Sequence, residues 1–70
     1  MIENIIKSLE NNLSESEKMI AMYVIKNKKI IGEITSTELA KKIGVSQSSI
    51  IKFIKKIGFS GYVAFKLQLE

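Results

Sequence analysis

Residues 35–57 read TSTELAKKIGVSQSSIIKFIKKI, and this stretch decides the fold. Thr35 and Glu38 have the spacing of a capping box, in which the hydroxyl takes the Glu38 N–H and the carboxylate reaches back. Ile34 and Leu39 stand at the staple positions around it. The helix that starts there runs to about Ile43 and ends at Gly44, a residue free to take the left-handed cap conformation. Ser46 caps the next helix, which runs to Ile57 and buries Ile50, Phe53, Ile54 and Ile57 on one face. Two short helices joined by a tight turn cross steeply only if certain positions are apolar, small or glycine. Leu39, Ile43 and Val45 supply apolar contacts, Ala40 is small at the close approach, and Gly44 makes the turn. Ile50 and Phe53 anchor the second helix. These positions match the helix-turn-helix pattern in type and spacing, over about residues 36–57.

The rest of the chain also reads at helical period, and no stretch alternates as a strand would. Ile2, Ile5, Ile6 and Leu9 form one apolar stripe of a first helix, about Ile2–Glu10. Ser14 and Glu17 make another capping box and open a second helix that carries Met19, Ile20, Met22, Tyr23, Val24 and Ile25. Lys26, Lys28 and Lys29 are expected in its last turn, where the helix dipole favours cations. Gly58 stops the fourth helix, and Ser60 is expected to cap a fifth from Gly61 onward. Tyr62, Phe65 and Leu69 share one face of that fifth helix, and Val63 and Leu67 another. It meets no stop signal before Glu70, as expected of a fragment of a longer chain. The expectation is an all-α, five-helix helix-turn-helix domain of homeodomain-like or winged-helix-like type, without a β wing.

Seventy residues hold one domain at most. There is no cysteine, histidine, aspartate or proline. Disulfides, zinc sites, EF-hand loops and Ser-His-Asp or Cys-His catalysis are thereby excluded, and no glycine-rich phosphate loop is present. An enzyme is not expected, nor a cofactor. No apolar run reaches the ~18 residues of a membrane span and no signal peptide shows. The lack of cysteine suits an intracellular protein, and a cytoplasmic location is expected.

The net charge is +4, and its distribution carries more than its size. Residues 1–38 hold five lysines and six glutamates, whereas residues 39–70 hold six lysines and one glutamate. From Leu39 to Leu69 there is no acid. A solubilising face usually mixes signs, so this half points to a polyanion. All eleven basic residues are lysine, so the bidentate guanine reader, arginine, is missing.

The outward face of the fourth helix holds Gln47, Ser48, Ile51, Lys52 and Lys55, preceded by the cap Ser46. Polar residues at the N-terminal end and lysines further along suit a recognition helix entering the major groove of duplex DNA. Gln47 and Ser48 are assigned to base edges, with Gln47 reading adenine through N6 and N7. Lys52, Lys55 and Lys56 are point charges for phosphate. Ser36 and Thr37, at the start of the third helix, can meet phosphate through hydroxyl and backbone N–H. Ile51 either touches a thymine methyl or packs on a neighbour. Tyr23, Tyr62 and Phe65 read as core or interface, not as base-stacking platforms. Met19 and Met22, with the two stripes of the fifth helix, fit a dimer seam, contact with a further domain, or ordinary core packing. A protein-interaction module that kept the fold is the alternative to DNA binding.

Leu13-Ser14, Ser16-Glu17-Lys18, Ile20-Ala21 and Tyr23-Val24-Ile25 resemble the second-helix signature of the RpiR family of bacterial transcriptional regulators. Glu38-Leu39-Ala40, Ile43-Gly44-Val45-Ser46 and Ser49-Ile50-Ile51 continue the likeness. Phe53, Lys56-Ile57-Gly58-Phe59, Gly61-Tyr62 and Phe65-Lys66-Leu67 complete it. The resemblance implies a DNA-binding N-terminal domain over residues 1–70, followed in the full protein by a sugar-isomerase (SIS) domain that binds phosphosugars. It also implies a homodimer on double-stranded operators near sugar-metabolism genes. The family often has arginine where this chain has Lys52 and Lys55, and proline where it has Lys28. The lysines keep the charge but lose the planar fork.

Overall fold

The computed structural model describes residues 2–69. Among them lie six α-helices: α1 (Ile2–Leu9), α2 (Glu15–Lys26), α3 (Lys28–Ile31), α4 (Ser36–Ile43), α5 (Gln47–Lys56) and α6 (Tyr62–Leu67). A single 3-10 turn, Glu10–Asn12, follows α1, and the described residues contain no strand. The third, fourth and fifth helices read from the sequence are α4, α5 and α6.

The count rises from five to six because the second helix breaks. Asn27 leaves helical geometry (φ −133°, ψ 35°), and its side-chain amide donates to the Tyr23 carbonyl at 2.9 Å. That bond competes with continuation of the helix. Lys28 and Lys29 therefore belong to the one-turn α3, not to the last turn of α2.

Both capping boxes form. The Ser14 hydroxyl accepts from the Glu17 N–H at 3.2 Å, and the Ser14 N–H donates to the Glu17 carboxylate at 2.8 Å. The Thr35 and Glu38 bonds are 3.1 and 2.9 Å. The start of α6 differs from expectation. Its N-cap is Gly61, with no side-chain cap, and Ser60 lies outside the helix. Nor does α6 run to the chain end. Gln68 closes it, Leu69 turns into the core, and Glu70 is outside the described residues.

The core draws on every helix. Ile2, Ile6, Ile20, Val24, Ile31, Leu39, Ile50, Phe53, Ile54 and Phe65 are all buried. Each such side chain contributes about 1.5–3 kcal/mol when withdrawn from water. Among the described residues, no polar or charged residue is buried with them. α4 and α5 pack most extensively on each other, and α5 also packs on α2 and α6. The recognition helix of the sequence reading is thus the central strut of the domain. Its inner face is fixed and its outer face is open.

Phe65 meets Phe59 edge-on, with ring centroids 6.0 Å apart, and Tyr62 at 5.9 Å. The Tyr62 hydroxyl donates to the Ile34 carbonyl at 3.0 Å, which ties α6 to the loop before α4. Burial pushes that hydroxyl's pKa up to about 12, so it stays a donor at neutral pH. The two tyrosines and Phe65 are packing residues, in line with the sequence reading: Phe65 is buried, and Tyr23 and Tyr62 pack partly buried against the core.

Candidate nucleic-acid interface

The turn between α4 and α5 sets the outer face of α5. Gly44 has φ +90°, and its N–H and that of Val45 both donate to the Ala40 carbonyl, at 2.8 and 3.0 Å. A residue with a Cβ enters this left-handed region only with strain. Ser46 then caps α5 by accepting the Ser49 N–H at 3.1 Å. Its oxygen also lies 2.9 Å from the Ser49 hydroxyl and 3.2 Å from that of Ser48. Ser46 is therefore occupied in building the helix start. Gly58 (φ +106°) closes the other end, where the Gly58 and Phe59 N–H groups donate to Lys55 and Ile54. α5 is held at both ends by backbone geometry.

Gln47, Ser48, Lys52 and Lys55 are exposed on the outer face, and Ile51 among them is partly buried. Lys52 and Lys55 form no ion pair among the described residues. Their charges are available to a ligand. No acid stands on α5.

Ser36 and Gln47 are each the first residue of their helix, and they meet. The Gln47 amide nitrogen donates to the Ser36 hydroxyl oxygen at 2.9 Å. The bond leaves the Gln47 carbonyl oxygen and one amide hydrogen free. One donor and one acceptor side by side are what an adenine edge requires. The Ser36 hydroxyl keeps its own hydrogen for another acceptor. Sequence reasoning treated the two residues separately. The signal was their shared position at two adjacent helix starts. Thr37 is exposed one residue further on, and Lys41 follows it one turn later on the same face of α4, a cation the sequence reading passed over.

Lys56 stands apart. At about 100° per residue, it lies half a turn around α5 from Gln47. Its ammonium donates to the Asn12 carbonyl at 2.6 Å and to the Glu17 carboxylate at 2.9 Å. The Ser14 N–H and then the Lys56 ammonium hold the Glu17 carboxyl below the usual carboxylate range. Lys56 thus pins α5 to the start of α2. The structure groups Ser36, Thr37, Gln47, Ser48, Ile51, Lys52 and Lys55 along one surface and leaves Lys56 engaged on its flank.

The whole of residues 1–70 matches the helix-turn-helix domain of the rpiR family. The chain belongs to the RpiR family. Two relatives are longer proteins that match this RpiR domain over part of their length. It is 38% identical over 65 residues to the HTH-type transcriptional regulator YfhH of Escherichia coli, covering 93% of this chain and 23% of that protein. It is 35% identical over 67 residues to an HTH-type transcriptional regulator of Haemophilus influenzae, covering 96% of this chain and 23% of the relative. The chain spans about a quarter of the length of these curated relatives. No solved structure matches it significantly. No helix among the described residues is long and apolar enough to cross a membrane.

Proposed function

We propose that this RpiR domain binds double-stranded DNA in a sequence-specific way, as the N-terminal part of a transcriptional regulator of sugar or phosphosugar metabolism. The observation that carries the reading is the outer face of α5. It has a hydrogen-bonding N-terminal end, unpaired lysines beyond, and no acid. A major-groove helix needs that order, because base edges are read near its N-terminus while phosphates flank its length. In this reading Gln47 takes adenine and Ser48 a neighbouring base. Ile51 lies against a thymine methyl, and Lys52 and Lys55 neutralise phosphates. Ser36 and Thr37 hold the backbone at the start of α4.

The domain acts in the cytoplasm as a homodimer, and half-sites lie one helical turn or a multiple apart. A phosphosugar effector acts through a C-terminal SIS domain. The sequence has no cysteine, histidine or aspartate, and binding is the function assigned to it. The regulator names of the relatives support this assignment, as does the family match.

The division of labour is tested by titrating operator and scrambled duplexes. Gln47→Ala is expected to reduce preference for the operator by about 5- to 150-fold, at about 1–3 kcal/mol for a bidentate base contact. Lys55→Ala is expected to weaken both duplexes alike and to lower the salt slope by about one. Equal losses on both duplexes for both variants would refute the assignment.

A further inference from the structure

The outer face of α2 is left without a partner inside the domain. Ile20, Ala21 and Val24 bury its inner face. Opposite them, Met19 and Met22 are 51% and 57% exposed, and Ile25, 40% exposed, stands on the flank beside Ala21. Met19 and Met22 are the middle of a longer seam. Glu15, Met19, Met22 and Lys26 follow each other at intervals of four, three and four residues. That is the spacing of positions facing a neighbouring helix. The seam has an acid at its N-terminal end, two methionines in the centre, and a base at its C-terminal end.

Such an order is complementary to itself when reversed. We propose that α2 is a self-association surface, and that a second copy of this chain packs its own α2 antiparallel across it. The register that sets Met19 against the partner's Met22 also sets Glu15 against the partner's Lys26. The two-fold axis repeats both pairs, so each copy presents one patch that meets itself, as an isologous interface must. A parallel pairing would instead set Glu15 against Glu15 and Lys26 against Lys26. The charges therefore select the antiparallel arrangement.

The groups on the seam are free to do this. Glu15 has only a loose contact with Lys18, at 3.6 Å, and its side chain is 94% exposed. Lys26 forms no ion pair among the described residues. Methionine suits the centre, because its flexible thioether packs against another copy without a fixed shape. The other exposed apolar pair, Val63 and Leu67 on α6, has no such charge order around it. One helix face buries less than a standard stable interface. Self-association of the domain alone therefore falls in the micromolar-to-millimolar range and is reinforced wherever two copies are held close, as on two half-sites. The inference rests on the reading that the domain works as a symmetric pair, and it names the face that makes the pair.

The test is sedimentation equilibrium of the 70-residue chain at about 1 mM and low salt. Folding of each variant is checked by circular dichroism. The wild type is expected to sediment above the monomer mass of 7.9 kDa. Glu15→Lys alone and Lys26→Glu alone are each expected to return it to the monomer, because each homodimer then has two like-charge contacts. An equimolar mixture of the two variants is expected to associate again, since both contacts become opposite in sign. A Val63→Ser, Leu67→Gln variant is expected to behave as wild type. A monomeric wild type would overturn the proposal. So would charge reversals that leave association unchanged, a mixture that stays monomeric, or loss of association in the α6 variant. Selection of an inverted repeat by a chain indifferent to the reversals would sink this face alone and leave the symmetric-pair reading standing. A wild type that selects only single half-sites would sink that reading.

Discussion

Removing the Ser36 hydroxyl probes the base-reading end of α5 without touching a base-reading side chain. In the free domain the Gln47 amide donates to the Ser36 hydroxyl at 2.9 Å. The bond fixes a side chain that otherwise loses about 1.5–2 kcal/mol of rotamer freedom when it is ordered. A neutral hydrogen bond is worth about 0.5–1.5 kcal/mol net. Ser36→Ala should therefore cost about 1 kcal/mol of discrimination at the base read by Gln47, or about fivefold. The assay is competitive fluorescence anisotropy on a selected operator and on a duplex altered at that one base pair. The quantity read is the ratio of the two affinities, which cancels any phosphate contact made by Ser36 itself. The four variants, wild type, Ser36→Ala, Gln47→Ala and both together, close a double-mutant cycle. In the Gln47→Ala background, Ser36→Ala is expected to leave the ratio unchanged. An equal drop in both backgrounds, or no drop in either, would refute the idea that Ser36 positions Gln47.

Two further predictions concern stability. Gly44→Ala forces a Cβ into a backbone at φ +90°, although no atom lies within 4 Å of the place it would occupy. The left-handed conformation costs about 1–2 kcal/mol, offset by about 0.4–1 kcal/mol from a less flexible unfolded chain. Thermal unfolding should show a melting temperature about 4–8 °C lower per kcal/mol of net loss, and a raised melting temperature would mean that the turn is not strained. The second concerns acid. The Glu17 and Glu38 carboxyls are held below their usual value of 4.5, chiefly by the backbone N–H groups of Ser14 and Thr35. Glu3, beside Lys28, is lowered to about 2. Groups with depressed folded-state pKa values stabilise fully above the unfolded value and lose that contribution as pH falls through the folded one. The melting temperature should therefore hold from pH 7 to about 5 and decline below it, and a flat profile down to pH 3 would contradict these pairings.

What could be read from the sequence was local. The caps at Ser14, Thr35 and Ser46 and the turn at Gly44 rest on residues within a few positions of one another. Their hydrogen bonds formed as the spacing requires. The inner face of α5 was equally legible, because helical period alone sorts Ile50, Phe53, Ile54 and Ile57 from the lysines. The break at Asn27 was hidden. Neither glycine nor proline marks it, and an asparagine bonded to the carbonyl four residues back looks like any helix-end residue in one dimension. The start of α6 was misread because Ser60 has a good capping side chain, yet tertiary contacts of Tyr62 and Phe65 place the helix one residue later. Lys56 shows the limit for site residues. It shares charge and helix with Lys52 and Lys55, but its carboxylate partner Glu17 is 39 residues away in sequence and is brought near only by the packing of α2 on α5. The bond between Ser36 and Gln47 also spans two helices, and the sequence marks it only through their shared position at two adjacent helix starts.

The central claim is that the outer face of α5 reads sequence in duplex DNA. Selection from a random duplex library, at low and at physiological salt, tests it most directly. The account predicts an enriched inverted repeat that survives the higher salt, with an adenine at the position that Gln47→Ala relaxes. Binding that disappears with salt and enriches no sequence would contradict it, because phosphate contacts alone would then account for the affinity.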